Sequence, residues 1–158
     1  MSRPRKKNVG IYLFLAIIIL IAGFSYWQSG KTIIQKNVVD DYQRKSIEVA
    51  GNNIEVYIAD TGEKQRLGLS IFEELPRDEG MVFEYQQPQK PGFWMKDMKF
   101  DIDIVWIRES QIVGITPDVS RLSPSVKYYP EQDIDTVLEV NGGYCKINKI
   151  EVGNRISY

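Results

Sequence analysis

Histidine is absent from the 158 residues, and cysteine occurs once, as Cys145. Without imidazole the chain cannot build a Ser-His-Asp triad or an HExxH zinc site. One thiol forms no internal disulfide and lacks the second cysteine that a CxxC metal or redox pair requires. No glycine-rich phosphate loop compensates for these absences. We therefore predict no cofactor and no metal site.

Acidic residues are missing from the first seven positions, where Arg3, Arg5, Lys6 and Lys7 occur. From residue 8 onward, 16 basic residues stand against 21 acidic ones, a net charge of −5. This acidic part of the chain has no basic stripe that could release counterions from a phosphate backbone. Nucleic acid is therefore not an expected partner.

Charge is also absent from Val9 to Trp27, a run of 19 residues of which 11 are Val, Ile, Leu or Phe. A helix of that length is roughly 28 Å long, close to the ~30 Å hydrocarbon core of a bilayer. The basic cluster Arg3–Lys7 should stay in the cytoplasm by the positive-inside rule. The sequence therefore predicts a single-pass anchor in the cytoplasmic membrane of a prokaryote, with the bilayer as a partner and residues 28–158 outside.

Cleavage of this segment is the alternative. A signal peptide has an apolar stretch of about 7–15 residues before a small-residue cleavage site. Here the apolar stretch is longer, and the best candidate site, Gly23-Phe24-Ser25, matches poorly. Cleavage would leave a secreted or periplasmic protein.

Short alternating strands begin at Ser46, where Ser46–Ala50 and Ile54–Ala59 flank a predicted turn. Ile102–Ile107 is a nearly continuous apolar run, typical of a strand buried on both faces. The pattern predicts a mostly β (α+β) domain. We expect a small barrel-like or rolled sheet of about seven short strands with one or two short helices, preceded by one transmembrane helix. The predicted organisation is a cytoplasmic basic segment 1–8, a transmembrane signal anchor 9–27, a stalk or linker 28–45, and an extracytoplasmic β-rich domain 46–158.

Three local predictions concern the connections between strands. Asp60 should cap a short helix over Thr61–Leu69, with Glu63 completing a capping box. The segment Gln86–Pro91 should be a turn bounded by prolines, and Pro117–Ser125 should be a loop.

Several motifs occur in a fixed order along the predicted domain. They are Ala59-Asp60-Thr61 with Glu63, Arg66 and Gly68-Leu69; Leu75-Pro76 with Glu79-Gly80-Met81 and Phe83; Phe93-Trp94-Met95-Lys96; Ile102-Asp103; Leu138-Glu139 with Gly143; and Val152-Gly153.

In these motifs the chain resembles the family called domain of unknown function 192, DUF192. The family occurs in bacteria and archaea, often behind an export signal. The resemblance extends from about Ile54 to Ile156. It departs from the family at Asp97-Met98, where Asn-Thr is usual. The resemblance implies no activity, because none is established for the family.

The run Phe93-Trp94-Met95-Lys96 is the most distinctive of the motifs. Strand alternation should place Phe93 and Met95 on a core face, and Trp94 and Lys96 together on the other. Trp94, Lys96, Arg66 and Asp103 are therefore candidate ligand-binding residues. The alternative is that these side chains serve packing and structural ion pairs.

The candidate catalytic residues are the carboxylate-bearing Asp103, Glu79 and Glu139. Asp101 and Asp103 lie two positions apart and should point to one side, as a pair sharing acid and base roles would. The alternative is that such side chains are solvated or satisfy loop backbone. Asp103 opens an apolar strand, and a buried carboxylate there would need a partner such as Lys96 or Arg66.

These observations favour a membrane-anchored, extracytoplasmic, non-catalytic binding or accessory module that recognises an envelope component, a peptide or a small ligand. A purely structural partner of another membrane protein is a further option. The alternative is a carboxylate-dependent, hydrolase-like enzyme acting on an envelope component. Convergence of Arg66, Glu79, Trp94, Lys96 and Asp103 in one pocket would favour a functional site.

Overall fold

The computed structural model describes residues 9–158, with the side chains of residues 15–30 and 39–158. The chain divides into two compact units with a boundary after Asp40. The predicted cytoplasmic segment, residues 1–8, lies outside the described residues.

The N-terminal unit contains helix α1, Val9–Asp40. The predicted anchor, residues 9–27, lies in this helix, and the predicted stalk is helical as far as Asp40. Side chains 9–14 and 31–38 lie outside the described set. Among the described residues, no helix combines the length and the apolarity needed to cross a bilayer.

The second unit, Asp41–Tyr158, is built on a curled, half-barrel sheet of seven strands, as predicted. The strand bounds are β1 Arg44–Val49, β2 Asn52–Ala59, β3 Glu79–Gln89, β4 Phe93–Trp94, β5 Ile102–Arg108, β6 Gln111–Val119, β7 Lys127–Tyr128, β8 Ile134–Asn141 and β9 Ile156–Ser157. The strand order in the sheet is β6-β5-β8-β3-β2-β1-β9. The other two strands, β4 and β7, form a separate antiparallel pair.

Strands β2 and β3 are paired in parallel, whereas the other pairings in the sheet are antiparallel. A parallel pair requires a crossover between its strands. Here the crossover contains helix α2, Gly62–Leu67, followed by a 3₁₀ turn, Gly68–Ile71. This crossover becomes one wall of the cleft described below.

The C-terminal segment lies between β1 and the start of β6. Strand β9 pairs with β1 through Val49 and Ile156. On its other side, the Ile156 N–H donates to the Ser110 carbonyl at 2.8 Å, and the Ile112 N–H donates to the Asn154 carbonyl at 2.9 Å. The segment thus covers backbone groups that an open sheet would expose at both edges.

The core lies inside the curl of the sheet. Strand β5 is buried from Ile102 through Ile107, which confirms the predicted double-sided burial. Helix α3, Tyr144–Ile147, closes one end with Tyr144 and Cys145 buried. Cys145 is a free, packed thiol, and desolvation by burial, together with the nearby Asp103 carboxylate, raises its pKa.

The predicted helix cap is wrong by one residue. Thr61, not Asp60, caps α2 by accepting a hydrogen bond from the Lys64 N–H at 3.2 Å. Asp60 instead pairs with the Lys64 ammonium at 3.1 Å. Thr61 and Asp60 are both good caps by residue type, so only the backbone path at the end of β2 distinguishes them.

The two predicted proline-containing connections are also wrong in extent. Strand β3 continues to Gln89 past Pro88, and β6 continues to Val119 past Pro117. The strand register shifts at both places. Proline lacks the N–H that a regular ladder needs, and an irregular register is where a strand tolerates it.

Candidate functional site

A cleft of about 400 Å³ opens between the crossover and the short strand β4. This volume falls within the range of small-molecule sites, about 300–1,000 Å³. Of the residues predicted for a site, Arg66, Trp94, Lys96 and Glu139 line it. Glu79 and Asp103 do not line it.

Helix α2 presents Arg66 to the cleft. The Gln65 amide fastens this helix to the sheet by donating to the carbonyls of Ala59 and Glu84, each at 3.2 Å. Arg66 itself is exposed and, within the described part of the chain, has no ion-pair partner. Its guanidinium is therefore available to a ligand.

The segment Phe93–Lys96 forms the opposite wall. The burial of its side chains alternates as a strand should: Met95 is buried, whereas Trp94 and Lys96 are exposed. Phe93 is half-buried and packs edge-on against Phe83, with ring centroids 4.9 Å apart. Lys96, like Arg66, has no ion-pair partner among the described side chains.

A tight turn from Met95 to Met98 fixes the backbone at Lys96. The Met98 N–H donates to the Met95 carbonyl at 3.3 Å, and Asp97 adopts a φ of 62°. Asn and Asp tolerate this left-handed region better than other non-glycine residues. The Asp97 that departs from the family pattern therefore suits the turn, and its side chain is not among those that line the cleft.

Glu139 is the buried polar group of the cleft, with 4% of its surface exposed. Desolvation by burial raises its pKa to about 8, opposed by a hydrogen bond from the Leu69 N–H. Burial, together with the Glu139 charge, also raises the pKa of the neighbouring Tyr85 to about 12. Near neutral pH, Glu139 therefore holds its proton in most molecules.

The register of the sheet separates Asp103 from Glu139. Asp103 of β5 is paired with Val140 of β8, the residue next to Glu139. Paired residues point to the same face and successive residues to opposite faces, so the two carboxyl groups lie on opposite faces of the sheet.

Asp103 is fully buried and binds backbone rather than a cation. Its carboxylate accepts hydrogen bonds from the N–H groups of Asp118 at 2.8 Å, Gly143 at 3.0 Å and Cys145 at 2.9 Å. These bonds tie the end of β6 and the start of α3 to β5. The contacts of Asp103 are those of a structural carboxylate, and neither Lys96 nor Arg66 is its partner.

Glu79 and Asp101 also have partners outside the cleft. Glu79 accepts from the Arg44 guanidinium at 2.6 Å and from the Tyr57 hydroxyl at 2.8 Å. Asp101 accepts from the Arg121 N–H at 2.8 Å. Glu79 thus takes part in an ion pair with Arg44 and a hydrogen bond with Tyr57, and neither partner lines the cleft.

Sequence reasoning missed Tyr85 and Gln89, which also line the cleft. Both lie on the part of β3 beyond Glu84, where the register shifts. Gln89 lies in the segment Gln86–Pro91, which was predicted to be a turn, so its side chain had no predicted direction. Tyr85 directly precedes that segment, and no motif or charge marked it as a site residue. Glu139, by contrast, was recognisable as a charge within the apolar run Val137–Val140.

Comparisons with known proteins agree with the fold. The model of the DUF192 family, described as "Uncharacterized ACR", matches residues 45–158. No curated protein matches the chain significantly.

Two solved structures resemble the domain. One, from Sinorhizobium meliloti and named a "putative transcription regulator", has a TM-score of 0.70 and 21% identity, covering 73% of this chain and 94% of its own. The other, a protein of unknown function from Novosphingobium aromaticivorans, has a TM-score of 0.69 and 24% identity, covering 73% and 86%. At these identities the likeness concerns the fold alone.

Proposed function

We propose, from the premise that this chain belongs to the DUF192 family, that its domain is a binding module whose cleft takes a small ligand carrying an anionic group. The observation that carries the proposal is the pair of cations, Arg66 and Lys96, on opposite walls of one cleft and without ion-pair partners among the described residues. A guanidinium and an ammonium facing a shared space favour a carboxylate or phosphate.

The aromatic lining supports a ligand that also has a flat or apolar part. Trp94 is 43% exposed at the cleft, and the Lys127 ammonium lies 5.3 Å from its ring centroid. Phe93 and Tyr85 line the same space. Aromatic faces of this kind stack on rings and pack against methylene chains.

Benzoate, a ring with one carboxylate, is a suitable probe. We expect the full chain to bind it, and the double variant Arg66→Ala/Lys96→Ala to bind it about tenfold more weakly, since each exposed charge pair contributes up to about 1 kcal/mol. Lys146→Ala, which removes an exposed cation outside the cleft, is the matched control and should leave binding unchanged. Equal affinities for the double variant and the control would refute the proposal.

A carboxylate-dependent hydrolase is the second candidate, and the raised pKa of Glu139, at about 8, favours it. Such a value suits a general acid near neutral pH. Acid/base hydrolysis of a glycoside, however, uses two carboxyl groups about 5–9.5 Å apart. Glu139 is the one carboxyl group that lines the cleft within the described part of the chain. A binding role is therefore the better supported.

Incubation with envelope glycan fragments separates the two candidates. We expect the full chain and Glu139→Gln to release equal, background amounts of reducing ends. Release that depends on Glu139 would replace the binding proposal with the hydrolase.

The proposal includes a location. The uncharged run from residue 9 to residue 27 and the basic cluster before it support a single-pass anchor, with the domain outside the cytoplasmic membrane. In cells, we expect the full chain to resist carbonate extraction, and external protease to digest its domain in spheroplasts. Recovery in the soluble cytoplasmic fraction would contradict the anchor, and recovery in the periplasm or medium would indicate cleavage.

A further inference from the structure

The buried carboxyl group of Glu139 has no role in binding an anion. It lies in the cleft with 4% of its surface exposed, and the described side chains include no cation paired with it. An ionised carboxylate in such a place is costly without a counter-charge. Within the described part of the chain, the favourable contact of this carboxyl group is the hydrogen bond from the Leu69 N–H. A ligand is the remaining source of that counter-charge.

Aromatic rings surround the same space. A methyl group built on Gly68 would lie 3.6 Å from the Phe83 ring and 3.7 Å from the Glu139 carboxyl oxygen, so the ring and the carboxyl group border one pocket. Tyr85, Phe93 and Trp94 also line the cleft. The faces of aromatic rings attract cations, and the attraction is larger where water is excluded.

We propose, building on the anion site above, that the ligand is a zwitterion whose ammonium group binds against Glu139 and the aromatic rings while its anionic group pairs with Arg66 and Lys96. The cations are exposed and Glu139 is buried, so the ligand spans from the rim of the cleft to its floor. A purely anionic ligand would leave Glu139 without a partner, whereas a purely cationic ligand would meet two cations of its own sign.

Binding of the ammonium moves one proton. The ammonium group pairs with the ionised carboxylate, so near neutral pH the Glu139 proton passes to solvent as the ligand binds. The other titratable groups that line the cleft are Arg66, Tyr85 and Lys96. Tyr85, with its pKa at about 12, stays neutral throughout this range. Proton release on binding is therefore assigned to Glu139.

The titration of Glu139 itself tests the inference. The side-chain carboxyl carbons of ¹³C-labelled full-length protein are followed by NMR against pH, and the Glu139 resonance is assigned by its loss in Glu139→Gln. The probes are ω-amino carboxylates with two to five methylene groups. Alkylcarboxylates and alkylammonium ions of matched length serve as the single-charge controls. The ω-amino carboxylate that binds most tightly gives the distance between ammonium and carboxylate that fits the cleft best.

At saturation we expect at least one zwitterion to lower the pKa of Glu139 by one unit or more, which corresponds to at least tenfold tighter binding to the ionised form. The alkylcarboxylates should leave this pKa unchanged or raise it. Zwitterions that leave the pKa unchanged or raise it would overturn the inference. If alkylcarboxylates still bind through Arg66 and Lys96 in that case, only the inference fails; if they do not, the anion site fails with it.

Discussion

Asp103 and Glu139 are the two buried carboxylic acids among the described residues, and they lie on neighbouring strands. Three backbone N–H groups donate hydrogen bonds to Asp103, whereas Glu139 has one such bond and a raised pKa. The number of backbone N–H groups that donate to each carboxyl group thus distinguishes the structural Asp103 from Glu139, which is available to a ligand.

Replacing Asp103 by Asn tests the structural role at this scale. One amide oxygen cannot accept all three hydrogen bonds, and the amide N–H₂ would face other donors. We expect Asp103→Asn to lower the free energy of unfolding by about 3 kcal/mol in urea titrations while benzoate affinity of the folded protein is unchanged. Asp101→Asn, at a partly exposed position, should cost less than about 1 kcal/mol. Similar costs for the two variants would contradict the structural role.

The raised pKa of Glu139 makes the free energy of unfolding depend on pH. Its pKa is raised from 4.5 to about 8 in the folded protein, so the native state keeps a proton that the unfolded chain loses above about pH 4.5. The stabilisation is complete below pH 4.5, declines as pH rises from 4.5 to 8, and has disappeared above that range.

The whole decline should amount to about 5 kcal/mol, from about 1.4 kcal/mol per unit of pKa, and about 4 kcal/mol of it falls between pH 5 and 8.5. In urea titrations at pH 5 to 8.5, we expect Glu139→Gln to remove this slope, so that the variant is the more stable protein at pH 8. Glu48→Gln, at an exposed position of β1, should keep the wild-type slope. Parallel curves for wild type and Glu139→Gln would show that Glu139 is ionised across the range.

At the scale of elements, the short C-terminal strand β9 is decisive because it bonds to β1 on one side and to Ser110, next to β6, on the other. Ile156 is also buried in the core, with 4% of its surface exposed. We expect Ile156→Ala to cost about 3 kcal/mol. Hydrogen exchange should accelerate on both sides of β9 together, at Glu48 of β1 and at Ile112 of β6, whereas Ser157→Ala should change neither. Faster exchange on one side alone would mean that the segment does not link the two.

The strands were predictable to different degrees for physical reasons. The buried run Ile102–Ile107 needs no partner to be recognised as a strand, and the structure confirms it. The extensions of β3 and β6 past Pro88 and Pro117 depend on register shifts against neighbouring strands, which no local pattern contains. The same reason decides which residues of the cleft could be predicted from the sequence. Arg66, Trp94, Lys96 and Glu139 stood out by charge or motif, whereas Tyr85 and Gln89 depend on the irregular end of β3.

At the scale of the molecule, the second compact unit begins at Asp41. Tyr42 is buried with 6% of its surface exposed, and Arg44 pairs with Glu79. We expect the fragment 41–158 to unfold cooperatively with the same urea midpoint as the domain in the full chain. The fragment 46–158, which lacks both contacts, should be less stable by at least about 2 kcal/mol. Equal midpoints for the two fragments would mean that residues 41–45 add nothing to the stability of the unit.

The cleft as an anion-binding site is the claim on which the functional account rests, and a benzoate titration followed by NMR tests it most directly. The account predicts saturable shifts with one dissociation constant at the Arg66 side-chain Nε–H and the Trp94 indole N–H, and none at Lys146. Absence of saturation at Arg66 and Trp94, or shifts that lie outside the cleft, would contradict it.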